Sequence, residues 1–116
     1  MILLLASEIA SANIADAQRK SVQTYQSCVL KNAAEFHRSD LSGDTPEIVA
    51  YAAAYTCSKE RSDLVEKTKA FVRERHPEMG PGSVGKVTAI FMEKGDMSLD
   101  QEVKAAIDRG ANASNK

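Results

Sequence analysis

Cys28 and Cys57 carry the clearest chemistry in this chain, and that chemistry is pairing with each other. Each lies about ten or eleven residues from a polar turn that separates two long helical patterns. At a rise of 1.5 Å per residue both are roughly 15 Å from that turn, so an antiparallel hairpin sets them level. Both also fall on the apolar stripe of their helices, where the Cβ atoms could meet the short separation that a disulfide requires. Closing the intervening loop would contribute roughly 3 to 4 kcal/mol on the loop-entropy model. The alternative is a pair of buried free thiols, since unpaired cysteine behaves as a small hydrophobe. A redox-active or metal-binding role is disfavoured, because there is no C-x-x-C and His37 and His76 belong to opposite ends of the hairpin.

The second stretch worth testing for chemistry is Gly80-Pro-Gly-Ser-Val-Gly-Lys-Val-Thr88, which fits G-x-G-x-x-G and falls one position short of the P-loop pattern. The dinucleotide version needs a preceding strand, and here a charged helical segment comes first. The phosphate-cradling version needs a hydroxyl directly after lysine. Val87 occupies that place, and Thr88 is turned about 100° away on a helix. The stretch therefore reads as a Gly/Pro linker entering a helix with Ser83 as its cap. What remains is a weak anion-site candidate made of the amides of Gly82, Ser83 and Gly85 with the Lys86 ammonium. No cofactor is expected.

The other polar groups suggest structure rather than catalysis. His37 and His76 each fall at the C-terminal end of a helix, where a partly protonated imidazole suits the negative end of the dipole. His37 has Ser39, Asp40 and Asp44 nearby in sequence, but a nucleophile, base and orienter need fixed geometry and this segment is a polar turn. Glu60, Asp63, Glu66 and Glu74 are spread around a helix among basic residues, as in a solvated face with ion pairs such as Asp63 with Lys67. Asn112-Ala-Ser114 is a glycosylation sequon, meaningful only in a eukaryotic secretory pathway. The expectation is that the protein is not an enzyme.

The elements that must position these residues are all helical. Over 13–37 the apolar residues Ile14, Ala17, Val22, Tyr25, Cys28, Val29, Ala33 and Phe36 recur at three- and four-residue steps. A polar turn with Gly43 follows, with Leu41 expected to plug the hairpin end. Thr45-Pro46-Glu47 reads as a helix start, and the helix should run over 46–75 with Val49, Ala53, Cys57, Leu64, Thr68 and Phe71 inward. Ala50, Ala52, Ala53 and Ala54 form a small-residue patch where another helix can approach closely. After a linker over 77–82, two shorter helices are expected. One spans about 83–94 with Val84, Val87, Ile90 and Phe91 inward. The other spans about 98–110, opened by the Ser98–Gln101 capping box and stopped by Gly110. The expected fold is all-α: an antiparallel hairpin stapled by Cys28–Cys57, with two C-terminal helices packed on it.

Length and composition fit one small domain of 116 residues, expected over 13–110 with a frayed tail over 111–116. The apolar fraction of 43% is rich in alanine and lacks tryptophan, so the core is thin. A net charge of −1 gives no basic excess pointing to nucleic acid. Residues 1–12 read as a signal-peptide remnant or an N-terminal helical turn. The apolar start and the Ala10-Ser11-Ala12 cleavage form favour the first, while Glu8 and the missing basic residues oppose it. No apolar run reaches the roughly 18 residues of a membrane span. A disulfide together with a cleaved leader points to the periplasm or secretion, with a cytoplasmic location as the alternative.

With a lone cysteine pair, a leader-like start and only helical patterns, the chain resembles in general plan small exported bacterial helical proteins, among them periplasmic acid-stress chaperones. The resemblance is architectural and carries no residue roles across, because the cysteine interval here holds the polar turn from Ser39 to Thr45. Two function classes follow. The first is an exported, non-catalytic protein that binds another protein, through either the alanine-rich face with Tyr51 and Tyr55 or the C-terminal helices. The second is an intracellular regulator or inhibitor, of phage or mobile-element type, with reduced thiols. Exposed tyrosines would favour the first.

Overall fold

In the computed structural model the described residues are 2–38 and 45–114 for the backbone, and 12–36 and 45–109 for the side chains. Every element among them is a helix: α1 (Ile2–Arg38), α2 (Pro46–Thr56), α3 (Ser58–Arg75) and α4 (Pro81–Ser114). The polar turn, with Leu41 and Gly43, lies outside the described residues. So does the side chain of His37.

α1 and the α2–α3 arm form the expected antiparallel hairpin. Cys28 faces Cys57, and further from the turn Ser21 faces Asp63, so the two chains run in opposite directions at matching register. The start of the returning arm follows from its sequence. Thr45 is extended and its hydroxyl accepts from the Ile48 amide at 3.3 Å, Pro46 takes the first helical position, and Glu47 sits in the positively polarised first turn. At Cys57 the arm bends, with φ −96° and ψ 26°. Just before the bend the Thr56 hydroxyl donates back to the Ala52 carbonyl at 3.0 Å, a contact that competes with the helical ladder and promotes bending. The arm is thus two helices, where the sequence pattern predicts one over 46–75.

The core is built from the predicted stripes. From those stripes Tyr25, Val29, Ala33, Val49, Ala53, Cys57 and Leu64 are buried, and Ala50 from the small-residue patch joins them. The alanines matter most at the crossing. Ala33, Ala50 and Ala53 are buried there, and the Cα atoms of Cys28 and Cys57 are 6.1 Å apart, within the roughly 4.4–6.8 Å usual for a disulfide. Gln18 and Ser21 are buried too, although both are polar. The Ser21 hydroxyl lies 3.0 Å from the Ala17 carbonyl and 3.1 Å from the Asp63 carboxylate, so it ties α1 to α3 when it donates across.

The C-terminal half differs from its expected form in two ways. The helices expected over 83–94 and 98–110 are one continuous helix, α4, and Ser98 and Gln101 are exposed mid-helix residues rather than a capping box. The reason is visible in the spacing. Val84, Thr88, Met92, Leu99 and Val103 are buried, with Asp96 and Ile107 half-buried between and beyond them, so a single stripe of three- and four-residue steps runs through the supposed break. Gly95 is the only weak helix former there, and it is tolerated at a cost of about 1 kcal/mol. The inward face is also rotated. Of the expected set only Val84 is buried, while Val87, Ile90 and Phe91 are exposed. Amphipathic alternatives on one helix are separated by as little as 100°. Here the Thr88 hydroxyl is satisfied by its own Val84 carbonyl at 2.8 Å, which lets a polar residue take the buried position. α4 packs on both α3 and α2. No described helix is long and apolar enough to cross a membrane.

Candidate functional site

Two of the predicted site residues meet. Cys28 and Cys57 form a disulfide. The Asn32 amide donates to the Cys28 carbonyl at 2.9 Å and lies 3.5 Å and 3.6 Å from the two sulfurs, covering the bridge from the α1 side. Ligand atoms of Glu60, Cys28 and Cys57 all lie within 4.8 Å of one another. With the sulfurs joined, neither is the thiolate a metal needs, and this junction is a structural bridge.

The anion-site candidate is placed differently from its reading as a loop. α4 begins at Pro81, so Gly82, Ser83, Gly85 and Lys86 all lie in its first two turns, and Ser83 sits inside the helix instead of capping it. The Val84 amide is already bonded to the Gly80 carbonyl at 3.1 Å, and Lys86 is exposed. His76 takes its expected place at the end of α3, where its amide bonds to the Val72 carbonyl at 2.8 Å and its Nδ1 lies 3.4 Å from Glu78. Asp63 and Lys67 make the expected ion pair at 3.5 Å.

The feature that sequence reasoning missed is an open groove of about 480 Å³ where α1, α2, α3 and α4 come together. Tyr25, Val29, Ala50 and Leu99 form its buried floor. Its polar wall is made of Arg61 from α3, Asp96 and Asp100 from α4, and Glu47 from the first turn of α2. Tyr51 and Tyr55, one turn apart on α2 and each 76% exposed, stand at its mouth. Ala50 and Ala54 line the groove beside the two tyrosines, while Ala53 is fully buried in the core.

The electrostatics of the wall are uneven. Arg61 and Asp96 are paired at 2.7 Å, and that hydrogen bond holds the guanidinium pKa above its ordinary value. Glu47 and Asp100 have no cationic partner among the described residues. Burial against the wall raises the Asp100 carboxyl pKa, and the charges of Asp96 and Glu47 raise it further. Tyr25 is only 3% exposed and its hydroxyl has no hydrogen-bond partner. Burial pushes its pKa up, Asp96 adds to that, and the nearby Arg61 guanidinium works against it. The groove therefore holds a neutral phenol and an excess of carboxylates. The spacing of Asp96 and Asp100 on one helix face was readable in the sequence. Their meeting with Glu47, Arg61 and Tyr25 depends on the unbroken α4.

Fold and site together define a disulfide-linked, all-helical protein with an acidic, tyrosine-flanked groove. Comparison with protein-family models, with curated proteins and with solved structures finds no match.

Proposed function

We propose that this is a non-catalytic binding protein of an oxidising compartment, periplasmic or secreted, which holds another protein through the Tyr51–Tyr55 face of α2. The observation that carries the reading is the exposure of both tyrosines beside a formed groove. Large aromatic side chains gain much from burial and are enriched where proteins meet. Ile48, half-exposed on the same helix, extends the apolar face. The polar lining of the groove is carboxylates, a guanidinium, phenols and the Ser58 hydroxyl, with no imidazole among the described lining residues to activate that serine, which supports binding over nucleophilic chemistry. The disulfide supports an oxidising location.

Photo-cross-linking in the producing cell tests the reading. A benzophenone amino acid in place of Tyr55 should give a discrete adduct with another protein, and the same probe in place of the exposed Lys31 on α1 should not. Equal labelling from both positions, or none from Tyr55, overturns it. Intact mass with thiol alkylation before and after reduction tests the compartment: two thiols alkylated without reduction would favour the intracellular regulator instead.

A further inference from the structure

We propose that the groove beside Tyr51 and Tyr55 receives a basic side chain, lysine or arginine, from the bound protein, and that this cation completes a site made of Glu47, Asp100 and the Tyr25 hydroxyl. The inference rests on the binding reading above and names the chemistry of the partner's anchor.

Three observations carry it. The first is charge: Glu47, Asp96 and Asp100 line one groove with Arg61 as the cation, and Arg61 is committed to Asp96 at 2.7 Å. Two exposed carboxylates from two different helices, Glu47 and Asp100, are left facing the groove without a counter-ion among the described residues. The second is independent of charge. The Tyr25 hydroxyl, on a side chain that is 97% removed from solvent, lies among the groove's polar groups with no partner. A buried hydroxyl without a partner costs about 1–3 kcal/mol, and its oxygen can accept from an N–H that enters the groove. The third is the mouth. Two tyrosine rings beside an acidic pocket suit a cation carried on an apolar stem, because the stem packs on the rings while the ring faces attract the charge.

These features select a basic side chain over a bare metal ion. A hard divalent ion takes six or more oxygen ligands, and the unpaired carboxylates here come from two helices beside a phenol and aromatic rings. An ammonium or guanidinium needs fewer partners and tolerates that geometry. The Asp100 pKa is raised first by burial and then by the like charges of Asp96 and Glu47, and an arriving cation would lower it.

The test is an NMR titration of the ¹⁵N-labelled, oxidised full chain with N-acetyl-arginine-methylamide and N-acetyl-lysine-methylamide. N-acetyl-norleucine-methylamide, which has a similar stem without the charge, is the control. The expected result is saturable shifts at the amides around Glu47, Tyr51 and Asp100, with roughly millimolar affinity for the basic probes and none for norleucine. Asp100→Asn and Glu47→Gln should each weaken binding by about tenfold, and Tyr25→Phe by about threefold. Thr68→Val deletes a buried hydroxyl outside the groove and should leave the affinity unchanged. The proposal is overturned if norleucine shifts the same amides equally, if binding does not saturate, or if Asp100→Asn binds like the parent. Loss of the titration with the Tyr55 cross-link intact removes this inference and leaves the binding reading standing. Loss of the cross-link with the titration intact does the reverse.

Discussion

Two neighbouring regions of the α1 surface are finished to different degrees. At Cys28 and Val29 the chain is closed: the sulfurs are bonded, Val29, Ala53 and Cys57 have no exposure, and Asn32 is hydrogen-bonded over the bridge. One turn away at Tyr25 the packing is as tight, yet the hydroxyl lacks a partner and the adjoining groove holds two unpaired carboxylates. A fold this thin in core gains stability from the first region and gives some up in the second. A buried hydroxyl without a partner beside two exposed, unpaired carboxylates is the pattern expected where a surface is shaped for a ligand and the packing behind it keeps it in place.

Breaking the closed region should have the largest effect. The loop between the cysteines spans 29 residues, so the Cys28→Ser/Cys57→Ser double variant should lose roughly 3 to 4 kcal/mol in chemical denaturation. Because Cys28 and Tyr25 lie one turn apart on α1, the variant should also weaken the basic-probe titration. A stability loss below about 1 kcal/mol would mean that the alanine crossing holds the hairpin without the bridge.

The second comparison is between two buried hydroxyls that lack partners, Thr68 and Tyr25. Thr68 faces the core away from the groove, so Thr68→Val should raise stability by about 1 kcal/mol and leave probe binding unchanged. Tyr25→Phe should raise stability in the same sense and weaken binding. Thermal melts and titrations on both variants separate the two positions. If Thr68→Val lowers stability, its hydroxyl has a partner after all and the comparison fails.

A smaller gain is expected at Gly95. A Cβ built there meets nothing within 4 Å, and the residue is mid-helix, so Gly95→Ala should stabilise by about 0.5 to 1 kcal/mol. The same glycine marks the limit of what could be read from the residues. The hairpin and the cysteine register were legible because two long apolar stripes and a matched pair of distances from one turn agreed with each other. α4 was harder. Gly95, the Ser98–Gln101 capping pattern and the prominent Val87, Ile90 and Phe91 all supported a break and a different inward face. The stripe from Val84 through Thr88 and Met92 to Leu99 and Val103 supported continuity, but Thr88 and Asp96 make two of its steps polar. Local cues outweighed a period that only packing against α2 and α3 could decide. The groove was lost with it, since only an unbroken α4 brings Asp96 and Asp100 to Arg61, Tyr25 and Glu47.

Asp100 gives the smallest stability effect and the sharpest dependence on conditions. Its pKa is raised in the folded protein above the ordinary 3.8, first by burial and then by Asp96 and Glu47. The neutral acid therefore suits the fold better than the carboxylate does. Well below pH 3.8 the residue is protonated whether the chain is folded or not, and Asp100→Asn should melt at the same temperature as the parent. As the pH rises through the raised value the parent takes on a charge that the groove disfavours, and the variant should become the more stable of the two. The residue is largely exposed, so water screens the penalty and the gain should be only a few tenths of a kcal/mol at pH 7. A saturating basic probe supplies the missing counter-charge, so at pH 7 it should raise the parent's melting temperature more than the variant's and close the gap. A gap that is independent of pH, or one that the probe does not narrow, would show that the Asp100 charge does not face the groove's ligand.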